Sequence, residues 1–207
     1  MEGGQVRGRD TVEFARIAAF TDGVFAIAIT LLVLSLNVPE GLPKAELTDY
    51  LVDSWAQVFA YFLSFAVIGR FWIAHHGIFA LLRRFDVPLL ILTLAYLSMI
   101  VLIPFPTELL GDFGSRPETV ILYAFVVGSA SLLSWVMVRH MLRHEHVRAE
   151  LLASAHNIAA GSLQPAIVFY VSMPIALLSP VVAQLVWLAL LFDVIRWRRR
   201  PVKPTAP

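Results

Sequence analysis

The sequence predicts an all-α integral membrane protein with six transmembrane helices. Of its 207 residues, 58% are hydrophobic and only 15% are charged, and the mean hydropathy is +0.75. An ordinary soluble domain carries about 25% charged residues, so this surplus of apolar side chains needs lipid to cover it. The apolar stretches are also long enough to cross a bilayer, which takes about 20 residues in a helix.

Six apolar segments are separated by polar or proline-containing breaks, and we expect them to form one membrane domain over residues 1–207. Pro104-Phe105-Pro106 is expected to end the third segment, because proline cannot donate to a helical hydrogen-bond ladder. The predicted spans cover residues 16–37, 54–80, 87–106, 119–138, 154–178 and 181–197. Residues 198–207 are proline-rich and are predicted to form a disordered tail. Asp86 before Val87-Pro88 predicts a helix start with Asp86 as its cap.

Composition and motifs exclude several classes of function. The net charge is +1, which gives no signal for nucleic-acid binding, and the chain has no cysteine for disulfides or thiolate metal sites. No phosphate-binding loop, dinucleotide fingerprint, zinc-protease helix or nucleophile elbow is present. The first twelve residues lack the apolar core of a secretion signal, so the first span is expected to be retained. The sequence therefore predicts no enzyme activity, no cofactor and no nucleic-acid partner.

Positive charges predict the orientation in the cell membrane. With the N-terminus inside, the outer loops hold only Lys44 and Arg116. The inner segments then hold Arg7, Arg9, Arg16, Arg83, Arg84, Arg139, Arg143, Arg148, Arg196, Arg198, Arg199, Arg200 and Lys203. Because short cytoplasmic loops carry the excess of Lys and Arg, both termini are expected in the cytoplasm, which requires an even number of spans.

The entrance of the first span carries polar groups. Asp22 lies about two turns inside the helix, where an unpaired carboxylate costs several kcal/mol, so we expect it to be paired. At 1.5 Å per residue, Asp22 lies level with the His75-His76 turn of the second span and within reach of Arg70. A buried polar cluster that holds the first helix in register is therefore predicted, with the pH-dependent titration of a histidine as an alternative role. Its members are Arg16, Phe20, Thr21, Asp22, Arg70, Trp72, His75 and His76.

One face of the first span combines apolar side chains with a hydroxyl. Ile27, Thr30 and Leu34 lie on this stripe, and Gly23 and Leu31 lie on its edges. Several copies around an axis would stack these residues into rings, forming a hydrophobic constriction with a hydroxyl layer. Taken alone, the pattern favours ordinary packing between membrane helices, because every span contains an apolar stripe.

The same segment resembles a known family. Arg16-x-x-x-Phe20-Thr21-Asp22-Gly23, followed by the run Ala26 to Leu32, is similar to the RxxxFSD signature on the first helix of the transmembrane protein 175 family of potassium channels. Thr21 replaces the usual Ser and keeps the hydroxyl. The second-span sequence Phe71-Trp72-Ile73-Ala74-His75-His76 and the chain length also fit the single-repeat prokaryotic members.

The resemblance implies a homotetramer in lipid that conducts potassium passively through a pore lined by the first helix. It implies that Ile27 forms the main constriction, with Thr30, Leu31 and Leu34 beside it, and that potassium ions pass near Ile27 and Thr30. The chain contains no TVGYG-like loop, so we expect weak to moderate selectivity rather than a carbonyl filter.

Two other functions stay open at this stage. A proton-coupled carrier of ions or small solutes would use Asp22, His75 and His76 as a relay and the proline-containing fifth span as a moving part. A membrane redox or metal protein would use His75 and His76 as ligands. Adjacent helical residues point about 100° apart, which makes shared ligation awkward.

A histidine-rich segment follows the fourth span. His140 and His144 are an i, i+4 pair with His146 beside them, and such spacing can bind a divalent metal. Arg139, Arg143 and Arg148 would repel a cation, and the nearby acid is Glu145, on another face. The sequence therefore favours a basic helix end that contacts anionic lipid.

Overall fold

The fold is described from a computed structural model that covers residues 2–36 and 41–197, with side chains at residues 14–36 and 41–188. Within these ranges the chain forms α-helices, short 3₁₀ turns and an isolated β-bridge between Leu82 and Val147. The α-helices of the described residues are α1 (Glu2–Leu31), α2 (Leu47–Asp53), α3 (Trp55–Leu81), α4 (Val87–Leu102), α5 (Pro104–Phe113), α6 (Pro117–Arg143), α7 (Leu152–Leu178) and α8 (Pro180–Trp197).

Five helical segments of the described chain are long and apolar enough to cross a membrane. They are Phe14–Ser35, Trp55–Leu81, Val87–Phe113, Pro117–Arg143 and Ala149–Leu178. α8 adds an 18-residue helix at the place of the predicted sixth span. The all-α membrane architecture is therefore confirmed, while a sixth span stays a prediction. Asn37 and the predicted tail 198–207 lie outside the described residues.

The third span is longer than predicted, and the expectation that Pro104-Phe105-Pro106 ends it is wrong. α4 ends at Leu102, but α5 continues the same span to Phe113. Both prolines lie in the first turn of α5, where backbone N–H groups have no partner within their own helix. The Thr107 N–H donates to the Ile103 carbonyl at 3.1 Å, so the helical path resumes directly after the prolines.

Local signals position the start of α4 and the end of α6. The Leu89 N–H donates to Asp86 Oδ1 at 2.9 Å, which confirms Asp86 as the cap of α4. α6 ends at Arg143, five residues beyond the predicted span of 119–138. His140 therefore lies in the last turn of a helix rather than in a connecting loop.

α6 lies at the centre of the protomer and packs against α4 and α7, and α8 packs against both α6 and α7. The Trp187 ring of α8 stacks on Tyr123 of α6 at 5.0 Å, and its Nε1 donates to Ser172 Oγ at 2.8 Å. Tyr123 also shares a hydrogen bond of 3.0 Å with Ser64 of α3, and Thr107 donates to Ser64 at 2.7 Å. These buried polar groups have partners, and their contacts link the five helices α3, α5, α6, α7 and α8 into one scaffold for α1.

Candidate functional site

α1 is attached to this scaffold by one face. Thr21, Phe25, Ala28 and Leu32 are each at most 1% exposed. Their spacing of four, three and four residues places them on one side of a helix, and this side packs against α3 and α4. The rotation of α1 within the protomer is therefore set by a regular apolar stripe.

The opposite face of α1 is uncovered in the protomer. Ile27 is 57% exposed and Leu34 is 70% exposed, while Leu31 on the edge is 37% exposed. Thr30 is also exposed, and its hydroxyl donates to the Ile27 carbonyl at 2.8 Å. A hydroxyl that donates in this way keeps its oxygen lone pairs for another partner. The predicted stripe of Ile27, Thr30 and Leu34 is thus the face that the protomer itself leaves open.

Asp22 joins α1 to the second span on the side of the helix between its buried stripe and its open face. The Trp72 Nε1 of α3 donates to Asp22 Oδ1 at 3.0 Å. The Trp72 ring lies 6.1 Å from the ring of His76, one turn further along α3. Asp22, Trp72 and His76 are all exposed in the protomer. The structure therefore brings together three of the eight residues of the predicted polar cluster.

The remaining members lie at different places, so the eight side chains do not form one buried cluster within a protomer. Thr21 donates to the Ile17 carbonyl of its own helix at 2.7 Å. Arg70, which was expected within reach of Asp22, donates to the Gly161 carbonyl of α7 at 3.3 Å. Arg16 and Phe20 are exposed. The sequence predicts how deep each residue lies along its helix. These side chains are nevertheless apart, because they point to different sides of their helices.

His75 is buried among aromatic rings from three helices. Its ring stacks on Tyr96 of α4 at 5.1 Å and lies 4.6 Å from Phe79 and 5.8 Å from Phe25. Neither ring nitrogen has a hydrogen-bond partner among the described residues. His75 therefore packs α1 against α3 and α4, whereas the neighbouring His76 faces outward.

Sequence reasoning missed two of these partners. Tyr96 is the only tyrosine of the third span, and a lone polar ring in an apolar stretch is a usable signal for a buried contact. The Gly161 carbonyl that accepts from Arg70 has no such signal, because any backbone carbonyl can serve as an acceptor.

Known proteins are similar to this chain in the segments that carry the site. A family model described as the endosomal/lysosomal potassium channel TMEM175 matches residues 16–104, which include both sides of the Asp22–Trp72 hydrogen bond. A potassium channel of Streptomyces collinus is 34% identical over 139 residues, covering 65% of this chain and 68% of the relative. A potassium channel of Chamaesiphon minutus is 35% identical over 150 residues, covering 72% of this chain and 73% of the relative. The chain belongs to the TMEM175 family.

A solved structure shares the TMEM175 fold over most of the chain. It is the crystal structure of a lysosomal potassium-selective channel TMEM175 homologue from Chamaesiphon minutus, with a TM-score of 0.79 and 27% sequence identity. The match covers 89% of this chain and 98% of that chain. Together with the apolar helices, these matches confirm the family resemblance of the sequence and its place in a membrane.

Proposed function

We propose that this protein is a passive potassium channel whose pore is lined by α1 from four copies of the chain. The observation that carries the proposal is the one-sided burial of α1, which leaves Ile27, Thr30 and Leu34 uncovered. A single helix cannot enclose a pore, so symmetry-related copies must supply the other walls. Relatives of the chain are named potassium channels, which supports potassium as the transported ion.

In this arrangement Ile27 forms the narrowest ring of the pore, and Leu31 and Leu34 line the pore further towards the C-terminal end of the first span. An apolar ring gates by dewetting, because a water column that passes it loses hydrogen bonds without replacement. The Thr30 hydroxyls, one turn from Ile27, offer oxygen atoms to a potassium ion that has left part of its hydration shell. Potassium ions therefore pause near Ile27 and Thr30, and selectivity is weak to moderate without a carbonyl filter.

The Asp22–Trp72 hydrogen bond braces the pore helix. It connects α1 to α3 five residues before Ile27, on a side of α1 that lies about 140° away from Ile27 around the helix axis. A charge-assisted hydrogen bond is stronger and more directional than apolar packing, so it limits the rotation of α1 about its axis. Rotation is the motion that would turn Ile27 away from the centre of the tetramer.

The membrane arrangement completes the proposal. α8 forms the sixth span, so that both termini lie in the cytoplasm and the Arg-rich segments face the inner leaflet of the cell membrane. The lipid contacts of these arginines are electrostatic and add to the apolar contacts of the outer helices.

Potassium flux into proteoliposomes tests the function. The mass of the purified protein is first measured by light scattering, and we expect the mass of a tetramer. After reconstitution, we expect the protein to dissipate a potassium gradient without any co-substrate, and sodium and proton fluxes are measured in the same vesicles. Movement of protons only when a co-substrate is supplied, without potassium flux, would overturn the proposal in favour of a carrier.

The same flux assay distinguishes a channel from a carrier that uses Asp22, His75 and His76 as a proton relay. The described residues do not favour it, because His75 makes ring contacts while Asp22 accepts from Trp72, and α7 is one helix through Pro165 and Pro174. A carrier requires the His75 nitrogens and loses its flux in His75→Phe. In a channel, phenylalanine fills the same space between the rings, and we expect potassium flux to stay near the wild-type value.

A further inference from the structure

Three side chains of metal-ligating type converge where the loop between α3 and α4 meets the end of α6. Asp86 lies just before α4, and His140 lies in the last turn of α6. His146 lies three residues beyond the end of α6. His140 Nε2 lies 2.9 Å from Asp86 Oδ2, and His146 Nε2 lies 3.8 Å from the same oxygen. One ligand atom from each residue lies within 4.8 Å of the other two.

Backbone contacts hold the two segments together. The Arg83 N–H donates to the His146 carbonyl at 2.7 Å, and the Arg148 N–H donates to the Leu81 carbonyl at 3.2 Å. These bonds flank the β-bridge between Leu82 and Val147. These main-chain contacts therefore fix the position of His146 relative to the segment that carries Asp86.

The group is partly enclosed, and a hydrogen-bonded pair does not account for all of it. His140 Nε2 and Asp86 lie at hydrogen-bond distance, but His146 Nε2 is too far from Asp86 for a hydrogen bond. The His146 side chain is only 10% exposed, and its Nε2, which faces the Asp86 carboxylate, makes no hydrogen bond among the described residues. An enclosed ring nitrogen of this kind is left unsatisfied unless another group binds it.

We propose that Asp86, His140 and His146 bind a zinc ion. In a tetrahedral zinc site with ligand distances of about 2.0–2.2 Å, the ligand atoms stand about 3.3–3.6 Å from one another. The separations of 2.9 and 3.8 Å from Asp86 Oδ2 bracket this range, and the third pair, between the two histidines, lies within 4.8 Å, so side-chain rotations complete the site. Two imidazoles and one carboxylate suit zinc rather than magnesium or calcium, which take oxygen ligands. A water molecule occupies the fourth position.

The arginines that argue against a metal in the sequence do not crowd the site. Arg139, Arg143 and Arg148 are all exposed, so solvent and salt screen their charges. The Arg139 guanidinium lies over the Trp135 ring, 5.4 Å from its centroid. The acidic ligand comes from Asp86, not from Glu145, which is exposed. The acid beside His140 is thus Asp86, 54 positions away in the sequence, rather than the Glu145 that the sequence analysis named.

The Asp86 carboxyl is suited to hold a cation. The Leu89 N–H donates to Asp86 Oδ1 at 2.9 Å, which stabilises the charged form of the carboxyl group and leaves Oδ2 for a cation. The carboxylate is thus ionised at neutral pH. Bound zinc links the start of α4 to the end of α6, on the side predicted to face the cytoplasm. This role is independent of potassium conduction.

Zinc binding by the full chain tests the proposal. The protein is purified in detergent through a tag without histidines, stripped with a chelator and titrated with zinc by calorimetry. We expect one zinc ion per protomer, and affinity at least tenfold weaker in Asp86→Asn, His140→Gln and His146→Gln. Asp86→Asn keeps an oxygen that can cap α4, so the helix start is preserved. His156→Gln is the control, because His156 is exposed and bonds only the Leu152 carbonyl among the described residues.

Cobalt gives a second readout that does not depend on affinity. A tetrahedral site with imidazole and carboxylate ligands gives visible d–d absorption with cobalt, and we expect these bands in wild type and His156→Gln but not in His146→Gln. No zinc binding by wild-type protein, or equal zinc affinity in all four variants, would overturn the proposal. Loss of the cobalt bands together with unchanged thermal unfolding separates loss of a ligand from misfolding.

Discussion

Ile27→Ala is expected to raise passive potassium flux by roughly tenfold or more, since each 1.4 kcal/mol removed from a barrier is about tenfold in rate. Ile27 is 57% exposed on the open face of α1, where the proposed tetramer places it at the axis. Shortening four such side chains widens the ring and makes it easier to wet. The ratio of potassium to sodium flux should fall in the same variant, because a wider ring admits both ions with more of their hydration shells.

Val33→Ala is the matched control for this experiment. Val33 is 53% exposed, close to the value for Ile27, but it lies in the 3₁₀ turn Leu32–Ser35, roughly 80–120° away from Ile27 around the helix axis. We expect its potassium flux to stay within about twofold of wild type, because a surface substitution of this kind changes free energies by about 0.5 kcal/mol. Equal effects of the two substitutions would show that Ile27 has no special place in the conduction path.

Trp72→Phe is expected to weaken the assembled channel. It removes the Nε1 that donates to Asp22 and keeps an aromatic ring at the position. This exposed hydrogen bond lies within one protomer, so its loss loosens α1, the helix around which the proposed tetramer assembles, and the tetramer should dissociate at a lower temperature in detergent. Potassium flux should fall as well, because α1 loses the contact that limits its rotation.

Two further variants identify the hydrogen bond as the cause. Asp22→Asn keeps an acceptor oxygen without the charge and should lie between wild type and Trp72→Phe in dissociation temperature. Trp55→Phe changes an indole that is 70% exposed at the start of α3, and it should behave as wild type. If Trp55→Phe and Trp72→Phe lower the dissociation temperature equally, the Asp22 contact does not stabilise the assembly.

Features encoded over one or two helical turns could be predicted from the sequence. The stripe of Ile27, Thr30 and Leu34 is open because Thr21, Phe25, Ala28 and Leu32 bury the other side, and both sets follow helical periodicity. The cap at Asp86 was predictable for the same reason, since its partner is the Leu89 N–H three residues away. Membrane class and family follow from composition and from the motif at Arg16 to Gly23.

Apart from the approach of Asp22 to Trp72, contacts between distant segments could not be predicted. Arg70 and Gly161 are 91 positions apart, and Asp86 and His140 are 54 positions apart. Residue spacing gives the depth of each group along its helix, but not which neighbouring helix it faces. The prolines at 104 and 106 show a related limit, because proline ends a helix in its interior but is tolerated in the first turn.

The most direct test of the α1 pore uses a single introduced thiol. The wild-type chain has no cysteine, so Ile27→Cys and Val33→Cys each carry one thiol per protomer. Potassium flux into proteoliposomes is measured before and after addition of a charged, water-soluble methanethiosulfonate. If four copies of α1 line the pore with Ile27 at its axis, the reagent blocks Ile27→Cys and leaves Val33→Cys conducting. A flux through Ile27→Cys that the reagent does not change, with block of Val33→Cys instead, contradicts this pore.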